Sequence, residues 1–335
     1  MRTSGPRISL AVIALVLVAL VGDGLGLATE AAAAHPWHRV HSYDLATDIG
    51  RAELSWTSEP RLPLPHPRPR DANGVPMYRV DGQLYYRPGA LAISGMKRLD
   101  AYHDKRDGRQ LKQALKQARK LRQLAIEQRG AWWLTFDYDY LPAGMRAPWV
   151  NAMTQGLVLS FFMRLYAVTG KEVHLDAAQL VFRSFLRPQR EGKLWVTHVD
   201  PKGYLWLEHY PRSKPSHVLN AHLHALFGIY EYWAVTKAPK ARRLIKAAIT
   251  TMRHYIPRFR RAGGYSLYDL VNRTRIRKYH QIHVWQLRLL ARISGDTWFW
   301  SLADRFVEDY KPRGYVPGRP ARRVHPPWPA MSRAD

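Results

Sequence analysis

The segment EHYPRSKPSHVLN, residues 208–220, sets an acid, two histidines, a tyrosine, two cations and two prolines in the approach to an apolar run. A helix entry needs a cap and little more, so this density of groups able to move protons or hold anions points to chemistry. Three further segments share the character: PWVNAMTQG (148–156), GGYSLYDL (263–270) and RIRKYHQIHVWQL (275–287). Such groups stand just before a helix or in its first turn, where free N–H groups and a partial positive charge hold anions. A tyrosine moves protons when a nearby cation lowers its ordinary pKa of about 10. Arg212, Lys214, Arg277 and Lys278 flank Tyr210 and Tyr279 in this way.

Plainer roles compete for several of these residues. Trp149 and Trp206 suit a core or a lid. His222 and His224 lie within a helical run and suit packing, Glu208 suits a cap or an ion pair, and Asp269 suits a turn. His280 and His283 are three apart, a spacing that can bind metal. With no carboxylate in their stretch, hydrogen bonding is the expected role, and no metal or cofactor is expected. The chain has no cysteine, which excludes zinc–thiolate sites and cysteine nucleophiles.

The elements that must position these groups are helical. Leu111, Ala114, Leu115 and Ala118 repeat at i, i+3, i+4, i+7, as do Val158, Phe161, Phe162 and Leu165. The pattern predicts about seven helices, near 99–128, 151–169, 172–186, 216–236, 238–260, 281–294 and 297–310. Short turns such as Gly170-Lys171 join them into antiparallel hairpins. Three longer aromatic-rich connections, 130–150, 188–215 and 261–280, are placed to gather at one end of a helical barrel.

Flanking segments read differently. Arg2 and Arg7, the apolar run 8–21 and the small residues 31–34 have the layout of a signal peptide, or of an uncleaved anchor that associates with a membrane. Residues 35–98 read as a proline-rich extended strap with a short hairpin at Asp81-Gly82. Residues 99–312 form the helical domain, and 313–335 are a basic, proline-rich tail. An extracytoplasmic location follows: secreted, periplasmic or anchored. With 52 Lys+Arg against 26 Asp+Glu, the +26 charge suits a polyanionic partner. For an exported chain that partner is an envelope component or an acidic glycan rather than nucleic acid.

The region from about 148 to 310 resembles the C-terminal catalytic domain of glucuronyl C5-epimerases, which convert glucuronic to iduronic acid in heparan-type chains. The resemblance rests on AMTQG, LEHYPRSKPSHVLNAHLHALFGIYEY, YSLYDL and YHQIHVWQL, with YYRPGALAISGM upstream. It implies an (α/α) toroid, mainly α, and no cofactor. The family's catalytic tyrosines map onto Tyr210, Tyr268 and Tyr279. The candidate substrate-binding set is Trp149, Asn151, Gln155, Glu208, His209, Arg212, Asn220, Arg277, His280 and His283. Two departures stand out. His209 occupies the position of an acid in the family pattern, and Val271 the position of an arginine, for which Arg273, Arg275 or Arg277 are candidate substitutes. The large β-domains of the animal enzymes have no counterpart in the sequence.

The implied function is C5 epimerisation of uronic acids in an acidic polysaccharide. One proton carrier works on each face of the sugar, and cations hold the carboxylate. Two alternatives share these residues: a polysaccharide lyase that abstracts the same proton and then expels the 4-O substituent, and a non-catalytic acidic-glycan-binding protein.

Overall fold

The computed structural model describes residues 39–47, 49 and 69–311. The signal-like segment, most of the proline-rich run and the tail from 313 lie outside the described residues. The hairpin at Asp81-Gly82 is present. Strand β1 (Tyr78–Val80) pairs antiparallel with β2 (Gln83–Tyr85), and the two turn residues take φ of 46° and 82°. Positive φ at both central positions is the two-residue turn that matches the strand twist.

The strap then ends earlier than its composition suggests. Helix α1 spans Pro88–Lys105, with Arg87 as N-cap and Pro88 at N1. Proline is at ease there because its missing N–H would have had no helical partner. Gly89 and Gly95 disfavour a helix locally, yet both are required by packing. A Cβ at Gly95 would run into the Phe161 ring, and one at Gly89 would come 2.8 Å from Thr154 Oγ1. The expected helix over 99–128 is therefore the end of α1 followed by α2 (Gly108–Leu124). The break falls at Arg106, in the left-handed region at φ 54°, and at Asp107, whose side chain caps α2 by accepting from Arg109 N.

Six more helices follow: α3 (Ala152–Thr169), α4 (Glu172–Phe185), α5 (Leu219–Thr236), α6 (Pro239–Phe259), α7 (Arg277–Ser294) and α8 (Trp298–Asp309). Consecutive pairs pack as hairpins, and α1, α3, α5 and α7 pack on one another in turn as an inner row. Burial follows that division. Every residue of α5 from Leu219 to Trp233 is buried, whereas α2 buries one stripe, Ala114, Gln117, Ala118 and Leu121. A helix apolar all round belongs inside, and one with a polar face outside. The result is an (α/α) toroid, preceded by the short β-hairpin.

Helices α3 and α5 approach most closely at Gly156 and Gly228, where a Cβ on Gly228 would meet the backbone of Gly156. Arg164 and Glu231 bridge the same pair of helices with two 2.8 Å hydrogen bonds, both side chains buried. A buried bidentate pair adds register more than net stability. Among the described residues, no helix is long and apolar enough to cross a membrane.

Candidate active site

The three long connections meet over the N-terminal ends of the inner helices. The first begins with the hairpin of β3 (Ala125–Gln128) and β4 (Ala131–Leu134). It then returns through a bridge in which Phe136 and Trp149 exchange N–H···O bonds of 2.7 and 3.2 Å. Asn151 ends it by capping α3, its side chain accepting from Thr154 N at 2.7 Å.

The second connection carries the hairpin of β5 (Thr197–Val199) and β6 (Leu205–Leu207). Glu208 N donates to Val196 O and Glu208 O accepts from Ala152 N, both at 2.8 Å. This anchoring turns the Glu208 side chain into the core and leaves His209 and Tyr210 facing the opening. In the third connection, Leu219 N donates to Tyr268 O at 3.1 Å. Asp269 accepts from Asn272 N and Thr274 N at 2.6 and 3.3 Å, which fixes the turn after Tyr268. Tyr279 occupies the first turn of α7.

Between them lies a cleft of about 400 Å³. Its aromatic wall is Phe136, Tyr138, Tyr140 and Trp149, with Phe136 stacked on Trp149 at 4.3 Å between centroids. Such surfaces present both an apolar face and polar edges, as a sugar ring does. Tyr210 packs against this wall, its ring 6.1 Å from that of Tyr140 and 6.4 Å from that of Trp149, and Tyr268 and Tyr279 line the cleft with it. The Tyr268 and Tyr279 rings lie 4.7 Å apart, and the Tyr268 hydroxyl is placed to favour the ionised form of Tyr210.

Burial pushes the Tyr210 hydroxyl up to about 12, and the Tyr268 hydroxyl opposes that rise. Tyr268 is pushed well above the ordinary tyrosine range, first by burial and then by the neighbouring phenols. Tyr210 is thus the easier of the two to ionise. His209 packs edge-on to Tyr210 at 4.4 Å between centroids, and burial holds it down to about 3, so it is neutral at working pH.

Trp149, Asn151, His209 and the three tyrosines therefore share the cleft, and the other sequence candidates lie elsewhere. Gln155 is wholly buried, bonded to Leu134 N, Trp132 O and Ser184 Oγ at 2.8–2.9 Å, and staples α3 to β4 and α4. Glu208, also wholly buried, accepts from His217 Nδ1 at 2.6 Å. Asn220 accepts on its backbone oxygen from Gln286, which ties α5 to α7.

His280 accepts from Ser266 N at 2.9 Å on Nδ1, and its Nε2 faces the Phe306 and Tyr310 carbonyls. His283 meets Ser266 Oγ at 2.7 Å. Burial lowers the pKa of both histidines; His280 bonds through both ring nitrogens, whereas His283 bonds through Nδ1 and its buried Nε2 has no hydrogen-bond partner among the described residues. The two arginines are likewise placed outside. Arg212 donates to the Lys214 and Ala143 carbonyls, and Arg277 is exposed over the Tyr310 ring. Arg212 serves loop carbonyls and Arg277 a ring face, and neither residue lines the cleft. Among the described residues, no group of three or more metal-ligating side chains is present.

Arg87, unremarked in the sequence, lines the cleft, as do Tyr78, Tyr138 and Tyr140. Its signal was the proline that follows: Pro at N1 marks the preceding residue as an N-cap, hence a helix mouth.

The family profile described as D-glucuronyl C5-epimerase C-terminus matches residues 126–308. A curated relative, D-glucuronyl C5-epimerase of Caenorhabditis elegans, is 26% identical over 216 residues, covering 58% of this chain and 33% of the relative. The chain thus spans about a third of that relative's length. Among solved structures, cellobiose 2-epimerase from Bacillus thermoamylovorans B4167 superposes with a TM-score of 0.50 at 13% identity. The match covers 73% of this chain and 67% of that one, a likeness of fold.

Proposed function

The chain belongs to the family of the D-glucuronyl C5-epimerase C-terminus, and on that premise we propose that it epimerises C5 of uronic acid residues in an acidic polysaccharide. The observation that carries this reading is the convergence of Tyr210, Tyr268 and Tyr279, from two connections and a helix, on one cleft. The C5–H bond lies next to a carboxylate. When it breaks, the proton passes to one phenolate and the electron pair spreads into the carboxylate as an enediolate. A second phenol then returns a proton to the opposite face, and no oxidant or reductant is needed.

Tyr210 is the base and Tyr279 the donor for one direction, with the roles exchanged for the reverse. Tyr268, harder to ionise than Tyr210 and placed beside it, favours the Tyr210 phenolate rather than carrying the proton itself. The aromatic wall suits a sugar ring, and the +26 charge suits a polyanion. The signal-like N-terminal sequence is consistent with an extracytoplasmic polymer as substrate.

Incubation with polyuronides in deuterated water tests the proposal. Deuterium gained at C5 without an ultraviolet-absorbing unsaturated product is the expected result. An unsaturated product identifies a lyase, and no exchange on any glucuronate polymer removes the reading. Tyr210→Phe and Tyr279→Phe each delete one hydroxyl at almost constant volume. Full exchange and inversion in both variants would overturn the tyrosine assignment.

A further inference from the structure

Resting on that reading, we propose that Arg87 is the residue that binds the substrate's carboxylate and carries the charge that builds there as C5 loses its proton. Among the described residues, it is the single lysine or arginine lining the cleft, and no aspartate or glutamate lines it. A uronate brings one negative charge, and the enediolate concentrates a second on the same oxygens. Three phenols and a neutral histidine leave that charge uncompensated, so a cation is required at this wall.

Arg87 is built for the task by its position. It is the N-cap of α1, so the partial positive end of an 18-residue helix stands behind it, and Gly89 and Ala90 of the first turn line the same cleft. Its guanidinium lies 5.2 Å from the Tyr78 ring centroid, and its charge opposes the rise that burial causes in the Tyr138 pKa, so it stands beside two aromatic groups of the cleft wall. Its charge is felt at His209, the neighbour of Tyr210, which places the cation within electrostatic reach of the proton-transfer corner.

The other cations of these segments do not line the cleft: Arg273, Arg275 and Lys278 are exposed, and the Lys278 ammonium lies outside it over the Tyr279 ring, 5.2 Å from the centroid. Val271 is 49% exposed and carries no charge, and Arg212 and Arg277 are committed elsewhere. A planar guanidinium also matches a carboxylate with two parallel N–H···O bonds and stays charged at any working pH, which lysine does with less geometric fit.

The test separates carboxylate recognition from catalysis. Binding of a glucuronate-containing oligosaccharide and of its carboxyl-reduced counterpart is measured by protein fluorescence for wild type, Arg87→Gln and Arg87→Lys. The wild type is expected to prefer the carboxylate form, and Arg87→Gln to lose about 10- to 100-fold of that preference, the worth of a charged hydrogen bond. Arg87→Lys, which keeps the charge, falls between them. Arg243→Gln, exposed on the outer helix α6, changes the net charge equally and leaves the preference intact.

In the deuterium assay, Arg87→Gln should lower kcat about 10²- to 10³-fold, the usual loss on removing one stabilising donor. Added guanidinium should partly restore exchange to Arg87→Ala, a rescue that a merely structural role would not give. An unchanged carboxylate preference in Arg87→Gln overturns the assignment, whatever the enzyme does. A wild type that prefers the carboxylate through Arg87 but exchanges no C5 proton overturns the epimerase reading instead.

Discussion

Replacing Tyr268 with phenylalanine isolates the hydroxyl that favours the Tyr210 phenolate. Burial lifts the Tyr210 hydroxyl to about 12, and the Tyr268 hydroxyl offsets part of that rise. A group of that pKa is ionised in about one molecule in 10⁵ at pH 7, so exchange through its phenolate climbs about tenfold per pH unit. A hydrogen bond to a charged group contributes about 1.5–3 kcal/mol, equivalent to about one to two pKa units.

Tyr268→Phe should therefore slow C5 exchange about 10- to 100-fold at every pH between about 6.5 and 8.5, with the slope unchanged. Tyr210→Phe should lose more, about 10²- to 10⁴-fold, and flatten the slope. Initial rates of deuterium wash-in, followed by mass spectrometry in half-unit pH steps, supply the measurement. A wild-type rate that is flat across this range would refute the phenolate as the resting base. A Tyr268→Phe enzyme as fast as wild type would refute the support from that hydroxyl.

Three other outcomes follow from the packing and the charge. Gly228→Ala should lose about 2 kcal/mol or more, because the Gly156 backbone it meets yields less readily than a side chain, and helix propensity returns only about 1 kcal/mol. Its Tm should fall by roughly 4–8 °C, and an unchanged Tm would contradict the close α3–α5 crossing. His222 is wholly buried, with Nδ1 accepting from Leu207 N, and burial holds it down to about 3 against 6.5 for an exposed histidine. Between those values the unfolded chain binds the extra proton, so this stability is complete above about pH 6.5 and declines as pH falls toward 3. Urea midpoints that hold steady between about pH 7 and pH 4 would count against it. Polyuronide binding should weaken steeply with added salt, as the Debye length shrinks from about 30 Å at 0.01 M to about 8 Å at 0.15 M. Salt-independent binding isotherms would point to a neutral ligand.

The sequence alone determined the helical hairpins and the neighbourhood of the site, because both are written in local signals. Apolar residues at a period of 3.6, and helix stops such as Gly170 and Lys237 at φ 64° and 53°, act within a few residues. The Asp81-Gly82 turn is equally local. The tyrosines sit in segments whose composition no cap or core explains.

Tertiary structure decided what those signals leave open. Helix α1 starts at Pro88 because Gly89 and Gly95, poor helix formers, are demanded by Thr154 and Phe161 of a different helix. The chain bends at His209 and Tyr210, so strand alternation does not decide which way each side chain faces. Hydrogen bonds to Val196 and Ala152 decided that Glu208 turns inward and His209 outward. Arg87 is far from Tyr210, Tyr268 and Tyr279 in sequence, and only the packing of α1 against α3 brings it to the cleft they share. Periodicity specifies that a helix has a buried face; which side chains converge at its mouth depends on contacts between residues distant in the chain.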